Sequence, residues 1–266
     1  MKFLIASDLH GKITAYQHFA DLLKVQNFDA GIIAGDLLDD GVPDEEMEEI
    51  FQNTELTPDD FIPELQLENE STEEFMDRQL AKLHSKDDPY VRANQYKEKK
   101  LRDLLCTAGK PIYVICGNHD QTEWLDGNCI YNIHNKRIKI GKWNIVGYRW
   151  TKLDRDEKDH IRDLKYIKRL TNSKTILVTH EPPFGIMDLG SYSIFEKNPE
   201  SNNNGPIGSK YILKLTKQKK PKVHIFGHVH SQFGILGNSI NAAYPHRTSF
   251  ISLDVDNMDI DIIEEQ

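Results

Sequence analysis

Eight side chains of types that bind metal or move protons stand in this sequence at one kind of position. Asp8 and His10 follow the apolar run Lys2 to Ser7, and Asp36 follows Gly31 to Ala34. Asn118 and His119 follow Pro111 to Cys116, His180 follows Lys174 to Thr179, and His228 and His230 follow Lys222 to Phe226. Each run has the length and aliphatic content of a buried strand. Each residue also has an ordinary reading. Asp8 and Asp36 suit helix caps, Asn118 suits a turn, and His180 and His228 suit core histidines with satisfied ring nitrogens. What carries weight is the coincidence at five strand ends. The remaining six of the eleven histidines, His18, His84, His134, His160, His224 and His246, read as scattered over helices and loops and receive no role.

Carboxylate, imidazole and amide oxygen without thiolate suit Mn, Fe, Zn or Ni rather than a sulfur-bound structural metal. The set is too large for one tetrahedral site. It matches two adjacent ions sharing a carboxylate, and such pairs sit about 3.5–4 Å apart. Two metals can clamp a phosphoryl oxygen and generate hydroxide between them, which is the chemistry of hydrolytic phosphoryl transfer.

The elements must bring these residues together. In open α/β sheets, functional groups gather beyond the carboxyl ends of the strands. The strand Lys2 to Ser7, a helix from Thr14 to Lys24 with Thr14 as N-cap, and the strand Gly31 to Ala34 predict a parallel pair with a right-handed crossover. Helices are expected at Pro43 to Phe51, Ser71 to Leu83, Arg92 to Leu105, Asp156 to Leu170 and Ile207 to Lys217. Ser71 and Glu74 have the spacing of a capping box. Cys129 to Ile133, Arg137 to Ile140 and Trp143 to Tyr148 read as short strands, the last two joined by a turn at Gly141-Lys142. The tail reads as antiparallel strands at 233–236, 239–243, 249–254 and 258–263. Gly185 to Gly208 reads as a long loop of the kind that is usually functional or disordered. From Asp39 to Asp88 there are 18 acidic residues and three basic ones, too biased for ordinary core. This stretch reads as an acidic helical insertion on the sheet edge, a solvated excursion or a cap that screens substrates.

The chain has 266 residues and a formal charge of −9, from 33 basic and 42 acidic residues. That length buries a real core without staples. The acidic balance argues against nonspecific binding to nucleic acid or anionic membrane. The cluster Lys217 to Lys222 reads as a solvated helix end. No stretch is long and apolar enough to span a membrane. Cys106, Cys116 and Cys129 are odd in number and form no C-x-x-C, so neither a disulfide framework nor cysteine-bound zinc is expected. A reducing, cytoplasmic location fits.

Asp8-x-His10, Gly35-Asp36, Gly117-Asn118-His119-Asp120, His180 and Gly227-His228-x-His230, in this order, resemble the motifs of the calcineurin-like metallophosphoesterase superfamily. Thr179 to Gly185, His224 to His230 and Asn241-Ala242 are most similar to the small metallophosphodiesterase branch. The resemblance implies a four-layer α-β-β-α sandwich, one domain over 1–266 with the acidic helical insertion at about 40–105. It implies two divalent metal ions, manganese first and Fe, Zn or Ni as alternatives. Asp8, His10, Asp36 and His230 would hold one ion. Asp36, Asn118, His180 and His228 would hold the other, with Asp36 bridging. His119 would sit over the scissile phosphate as general acid, a role that suits a histidine because its pKa lies near neutrality. Gly117 would let the backbone turn close to the site, and Asp120 is left with no chemistry beyond bracing that turn. Asp39 has two readings: a carboxylate that orients His119, as in the protein phosphatase branch, or a solvent-facing acid. Asp40 stands where that branch has arginine, and Asp120 where it has glutamate. No tyrosine stands at the Asp39 position, so no tyrosinate colour is expected.

The function implied is hydrolysis of a small phosphodiester or phosphomonoester, such as a cyclic nucleotide, by metal-activated water. One alternative is a DNA nuclease of the double-strand-break repair type, which the acidic balance and short tail disfavour. Another is a protein-binding scaffold like the superfamily member of the retromer coat, which intact ligand positions disfavour. A protein partner for the acidic insertion stays open.

Overall fold

In chain order the elements are β1 (Lys2–Ala6), α1 (Ile13–Val25), β2 (Ala30–Ala34), α2 (Asp44–Asn53), α3 (Pro89–Cys106), β3 (Ile112–Ile115), β4 (Ile130–Asn132), β5 (Arg137–Ile140) and β6 (Trp143–Tyr148). They continue with α4 (Glu157–Leu170), β7 (Thr175–Thr179), β8 (Leu189–Ser191), β9 (Asn204–Pro206), α5 (Lys210–Lys219), β10 (Val223–Phe226), β11 (Gly234–Leu236), β12 (Ser239–Asn241), β13 (Ser249–Asp254) and β14 (Asp259–Glu264). The computed structural model describes residues 1–38, 44–61, 71, 74, 88–120, 124, 126–149, 157–191, 204–243 and 249–264.

Continuous aliphatic runs become strands buried on both faces. In β1, Leu4 and Ala6 face helices while Phe3 and Ile5 face a second sheet. The first sheet has the order β14-β13-β1-β2-β3-β4, and the second β11-β12-β10-β7-β6-β5. Strands β1 to β4 run parallel, as do β6, β7, β10 and β12. Between the sheets lies a core that includes Ile32, Ile115, Ile176, Val178, Ile225 and Ile251. On the outer face of the first sheet, Tyr16, Phe19 and Leu23 of α1 pack with Leu101 and Leu105 of α3. On the outer face of the second, Leu164 and Ile167 of α4 and Ile212 and Leu215 of α5 cover Val146 and Leu177. The four-layer α-β-β-α order expected from the motifs is the observed one.

Helix starts differ from expectation where capping differs. Lys12, not Thr14, is the N-cap of α1, and it makes no side-chain cap bond. Helix α3 starts earlier than Arg92, because Asp88 accepts from the backbone N–H groups of Tyr90 and Val91 and Pro89 fills the first turn. Ser209 caps α5 by accepting from Ile212. Ser71 and Glu74 do form the capping box: Glu74 donates its N–H to Ser71 Oγ at 3.2 Å, and Ser71 donates its N–H to Glu74 Oε2 at 2.9 Å. The rest of the expected helix to Leu83 lies outside the described residues.

Three expectations are corrected. The start of the acidic insertion is not merely solvated. Ile50 and Leu56 are buried against Ala93 of α3, with Met47, Phe51, Phe61 and Tyr96 around them. Lys97–Glu46 at 2.7 Å and Lys100–Glu49 at 2.6 Å add ion pairs to that seam. The loop Gly185 to Gly208 is not structureless, since β8 and β9 pair within it as an antiparallel ribbon. Cys106 and Cys129 form a disulfide, with Cα atoms 5.5 Å apart, while Cys116 remains a buried thiol. Cysteine spacing alone missed this bond. The turn after α3 and the approach to β4 fold back on each other, bringing the two residues within bridging distance.

Candidate metal centre

The strands β1, β2 and β3 of one sheet and β7 and β10 of the other end at the same edge of the sandwich. Backbone bonds lock the loops that follow. Asp8 donates its N–H to Gly35 O, His10 to Asp36 O and Gly11 to Leu37 O, all within 3.0 Å. Between the β7 and β10 loops, Gly227 donates to His180 O at 3.0 Å. Four candidate ligands hold left-handed backbone: Asp8 (φ 57°), His10 (φ 46°), Asp36 (φ 47°) and His228 (φ 72°). That conformation costs an L-residue roughly 1–2 kcal/mol, and clusters of such strain mark functional sites. Glycine permits the closest approaches. A Cβ on Gly117 would run into the Asp36 carboxylate, and one on Gly227 would run into Ser7 Oγ and Asp8 Oδ2.

The side chains converge. Asp8, His10 and His230 place ligand atoms within 4.8 Å of one another, and so do Asp8, Asp36 and His180. His230 Nε2 lies 3.4 Å from Asp8 Oδ1 and 3.3 Å from His10 Nε2. The two oxygens of Asp36 meet different histidines: Oδ1 lies 3.4 Å from His180 Nε2, and Oδ2 lies 3.9 Å from His10 Nε2. His180 donates Nδ1–H to Ala34 O at 2.9 Å, leaving Nε2 to meet Asn118 Oδ1 at 2.9 Å. A fixed Nδ1–H bond of this kind sets the tautomer of a metal-binding histidine. The His228 ring packs edge-on to His180, with centroids 5.2 Å apart. His119 stands partly exposed beside the cluster, its ring 5.1 Å from that of His10, and its N–H donates to Asp36 Oδ1 at 3.0 Å.

Burial opposes ionisation of both carboxylates, yet His180 and His119 hold Asp36 far below the usual carboxylate range. The bond to His230 and the charge of His180 likewise hold Asp8 down against burial. Burial would also lower the pKa of His180, but Asp36 and Asp8 outweigh it and raise it to about 10. Burial and His180 lower His228 to about 4. The cleft therefore holds two ionised, buried carboxylates and a ring of imidazoles. Buried charges of this sort pair or coordinate metals. The donors are oxygen and nitrogen throughout, which fits divalent metal ions.

Of the nine residues singled out by sequence, eight stand together at this edge, and Asp39 lies outside the described residues. The groups that hold the ligands include Asp120, which the sequence leaves to brace its turn, and His224, which it gives no role. Asp120 accepts from Gly117 N–H at 2.7 Å and Leu38 N–H at 2.8 Å, so it ties the β3 loop to the β2 loop. Burial and Asp36 push its pKa up to about 7. His224 is not scattered on a loop. It lies fully buried in β10, with Nε2 2.8 Å from Thr179 Oγ1, beside His180. Thr179 in turn donates to Glu181 O at 2.6 Å. The available signal for the burial of His224 was its place in a short, otherwise apolar run, the pattern of a strand covered on both faces.

Solved structures share this architecture. One crystal structure superposes with a TM-score of 0.61 at 14% identity, covering 100% of this chain and 99% of that one. TT1561 of Thermus thermophilus superposes with a TM-score of 0.56 at 12% identity, covering 99% and 98%. UPF0046 protein K07C11.7 of Caenorhabditis elegans is 35% identical over 80 residues, 29% of this chain, and the match spans 23% of that protein's length. No helix among the described residues is long and apolar enough to cross a membrane. The model of the calcineurin-like phosphoesterases matches residues 1–62 and 87–232, so it leaves out part of the acidic insertion and the strands after Gln232. By that match, which takes in every strand end described above, the chain belongs to the calcineurin-like phosphoesterase family.

Proposed function

We propose that this protein is a divalent-metal-dependent phosphoesterase acting on small phosphate esters, with diesters and manganese favoured. One observation carries the reading: the two oxygens of Asp36 face His180 on one side and His10 on the other. A carboxylate so placed can serve two ions. Asp8, His10, Asp36 and His230 would hold one, and Asp36, Asn118, His180 and His228 the other. Asp8 belongs to both convergent groups, so it stands close enough to reinforce the second. When bound, such ions supply Lewis acidity toward a phosphoryl oxygen and a nucleophile at neutral pH. His119 is fixed by its own backbone bond to Asp36, and its partly exposed ring can protonate a leaving oxygen. The preference for diesters rests on the likeness of Thr179 to Gly185 and His224 to His230 to the diesterase branch.

With Mn²⁺ supplied, the protein should hydrolyse bis-p-nitrophenyl phosphate, and Asp36→Asn should nearly abolish the reaction. Wild-type turnover in Asp36→Asn would end the shared-carboxylate reading. His119→Gln should keep metal binding and lose roughly 10²–10⁴-fold in kcat. The loss should be smaller for nitrophenolate than for a poor leaving group, and an equal loss for both would remove the proton-donor role. A metal-loaded wild type that is inert toward monoesters, diesters and cyclic nucleotides alike would favour a scaffold.

A further inference from the structure

Asn241 is fully buried at the end of β12, beside the loop that carries His228 and His230. Its amide is used at both ends. Nδ2 donates to Val229 O at 2.9 Å, and Oδ1 accepts from Ala243 N–H at 3.0 Å. Val229 is the residue between the two histidines. Its own N–H donates to Gly227 O at 2.9 Å, and its carbonyl also accepts from Gln232 N–H at 3.0 Å. The Val229 side chain is buried, so the peptide is anchored between the two histidines. The same asparagine reaches the opposite sheet. Ala243, held by Oδ1, forms a parallel bridge with Ser7, the neighbour of Asp8. Asp8 in turn accepts the N–H of His228 on both carboxylate oxygens at 3.0 Å.

We infer that Asn241 is a positioning residue for the metal centre, holding His228 and His230 at a fixed distance from Asp8 across the junction of the two sheets. The inference rests on the metal-dependent reading above. No other group among the described contacts links the Val229 peptide to the strand that meets Ser7. Asparagine is the residue type the place requires: the carbonyl of Val229 needs a donor and the N–H of Ala243 needs an acceptor, on one short side chain. Aspartate keeps the acceptor and loses the donor, and alanine loses both.

The test uses the full chain, with amide hydrogen exchange on metal-free protein and Mn²⁺ titration by calorimetry. Asn241→Asp and Asn241→Ala both lose the bond to Val229 O and should speed exchange at His228 and Val229 roughly 2- to 12-fold, the worth of that one hydrogen bond, while β7 keeps its protection. Mn²⁺ affinity should fall about 10- to 100-fold, as when a group that orients a metal ligand is removed. Asn132→Ala is the control. Asn132 is also buried and bonded at both ends, to Trp124 O and His134 N–H, but away from the histidine loop. It should lower stability and leave His228 exchange and Mn²⁺ affinity unchanged. Unchanged exchange at His228 and Val229 in both Asn241 variants would overturn the inference, as would an equal effect of Asn132→Ala. If wild-type protein binds no Mn²⁺, the metal reading fails by itself, and the exchange data still decide the role of Asn241.

Discussion

At the scale of single residues, ligands and braces leave different traces. Asp8, His10, Asp36 and His228 stand out in the sequence because their types are chemical and their places are strand ends. Asp120 does not stand out, because its work is to accept two backbone N–H groups, from Gly117 and Leu38. Backbone partners carry no sequence label, so any acid in a turn looks the same. The bonds give Asp120 a measurable role. Asp120→Asn keeps the shape, retains one acceptor and sets an amide donor against a backbone donor. We expect a loss of about 1–3 kcal/mol of stability, the cost of a buried N–H left unpaired. Because the tie joins the Asp36 loop to the Asn118–His119 loop, kcat should fall as well. Urea denaturation of metal-free protein and steady-state kinetics with Mn²⁺ check both, and wild-type stability in Asp120→Asn would show that the bonds carry nothing.

At the scale of elements, the central strands were legible because burial on both faces demands unbroken aliphatic runs, as in Phe3 to Ala6 and Ile176 to Val178. Partner choice was not legible. The tail strands pair antiparallel as expected, β11 with β12 and β13 with β14, but β12 also lies parallel to β10, and β13 crosses to the first sheet to pair with β1. Those pairings are decided by non-local packing that no local pattern records. The same packing buries His224 in β10, where burial lowers its pKa to about 3. The unfolded value is about 6.5. Between these values the unfolded chain binds more protons than the native one, so stability rises with pH across the window. The contribution is whole above about pH 6.5 and is lost as pH falls toward 3, with a slope of up to about 1.4 kcal/mol per pH unit. His224→Leu should remove this component. Between pH 6.5 and 5 the wild type should lose about 2 kcal/mol more than the variant. Denaturation midpoints at the two pH values measure the difference, and parallel losses would mean that His224 is solvated in the native state.

At the scale of the whole molecule, the sandwich stacks two sheets face to face, and the loops at their common edge must be held in register. The Cys106–Cys129 bond joins the end of α3 to the approach to β4, and the segment it closes carries β3 and all of Gly117-Asn118-His119-Asp120. Its sequence separation is 23 residues. Closing a loop of that size in the unfolded chain is worth about 3 kcal/mol in the chain-entropy model. Cys106 also lines an open cleft of about 370 Å³ with Glu98, Arg102 and Asn128, which gives a thiol reagent a way in. The expectation of a reducing surrounding rested on cysteine spacing, and a bond of this kind persists where oxidants hold it. Dithiothreitol should therefore lower the urea midpoint of the wild type by the equivalent of about 3 kcal/mol. A Cys106→Ser, Cys129→Ser double variant should start at the lower midpoint and not respond. Reduced wild type should also lose turnover before it unfolds, since the loosened segment carries Asn118 and His119. Equal midpoints with and without reductant, on protein shown by mass spectrometry to be oxidised and reduced respectively, would mean that native packing alone holds that loop.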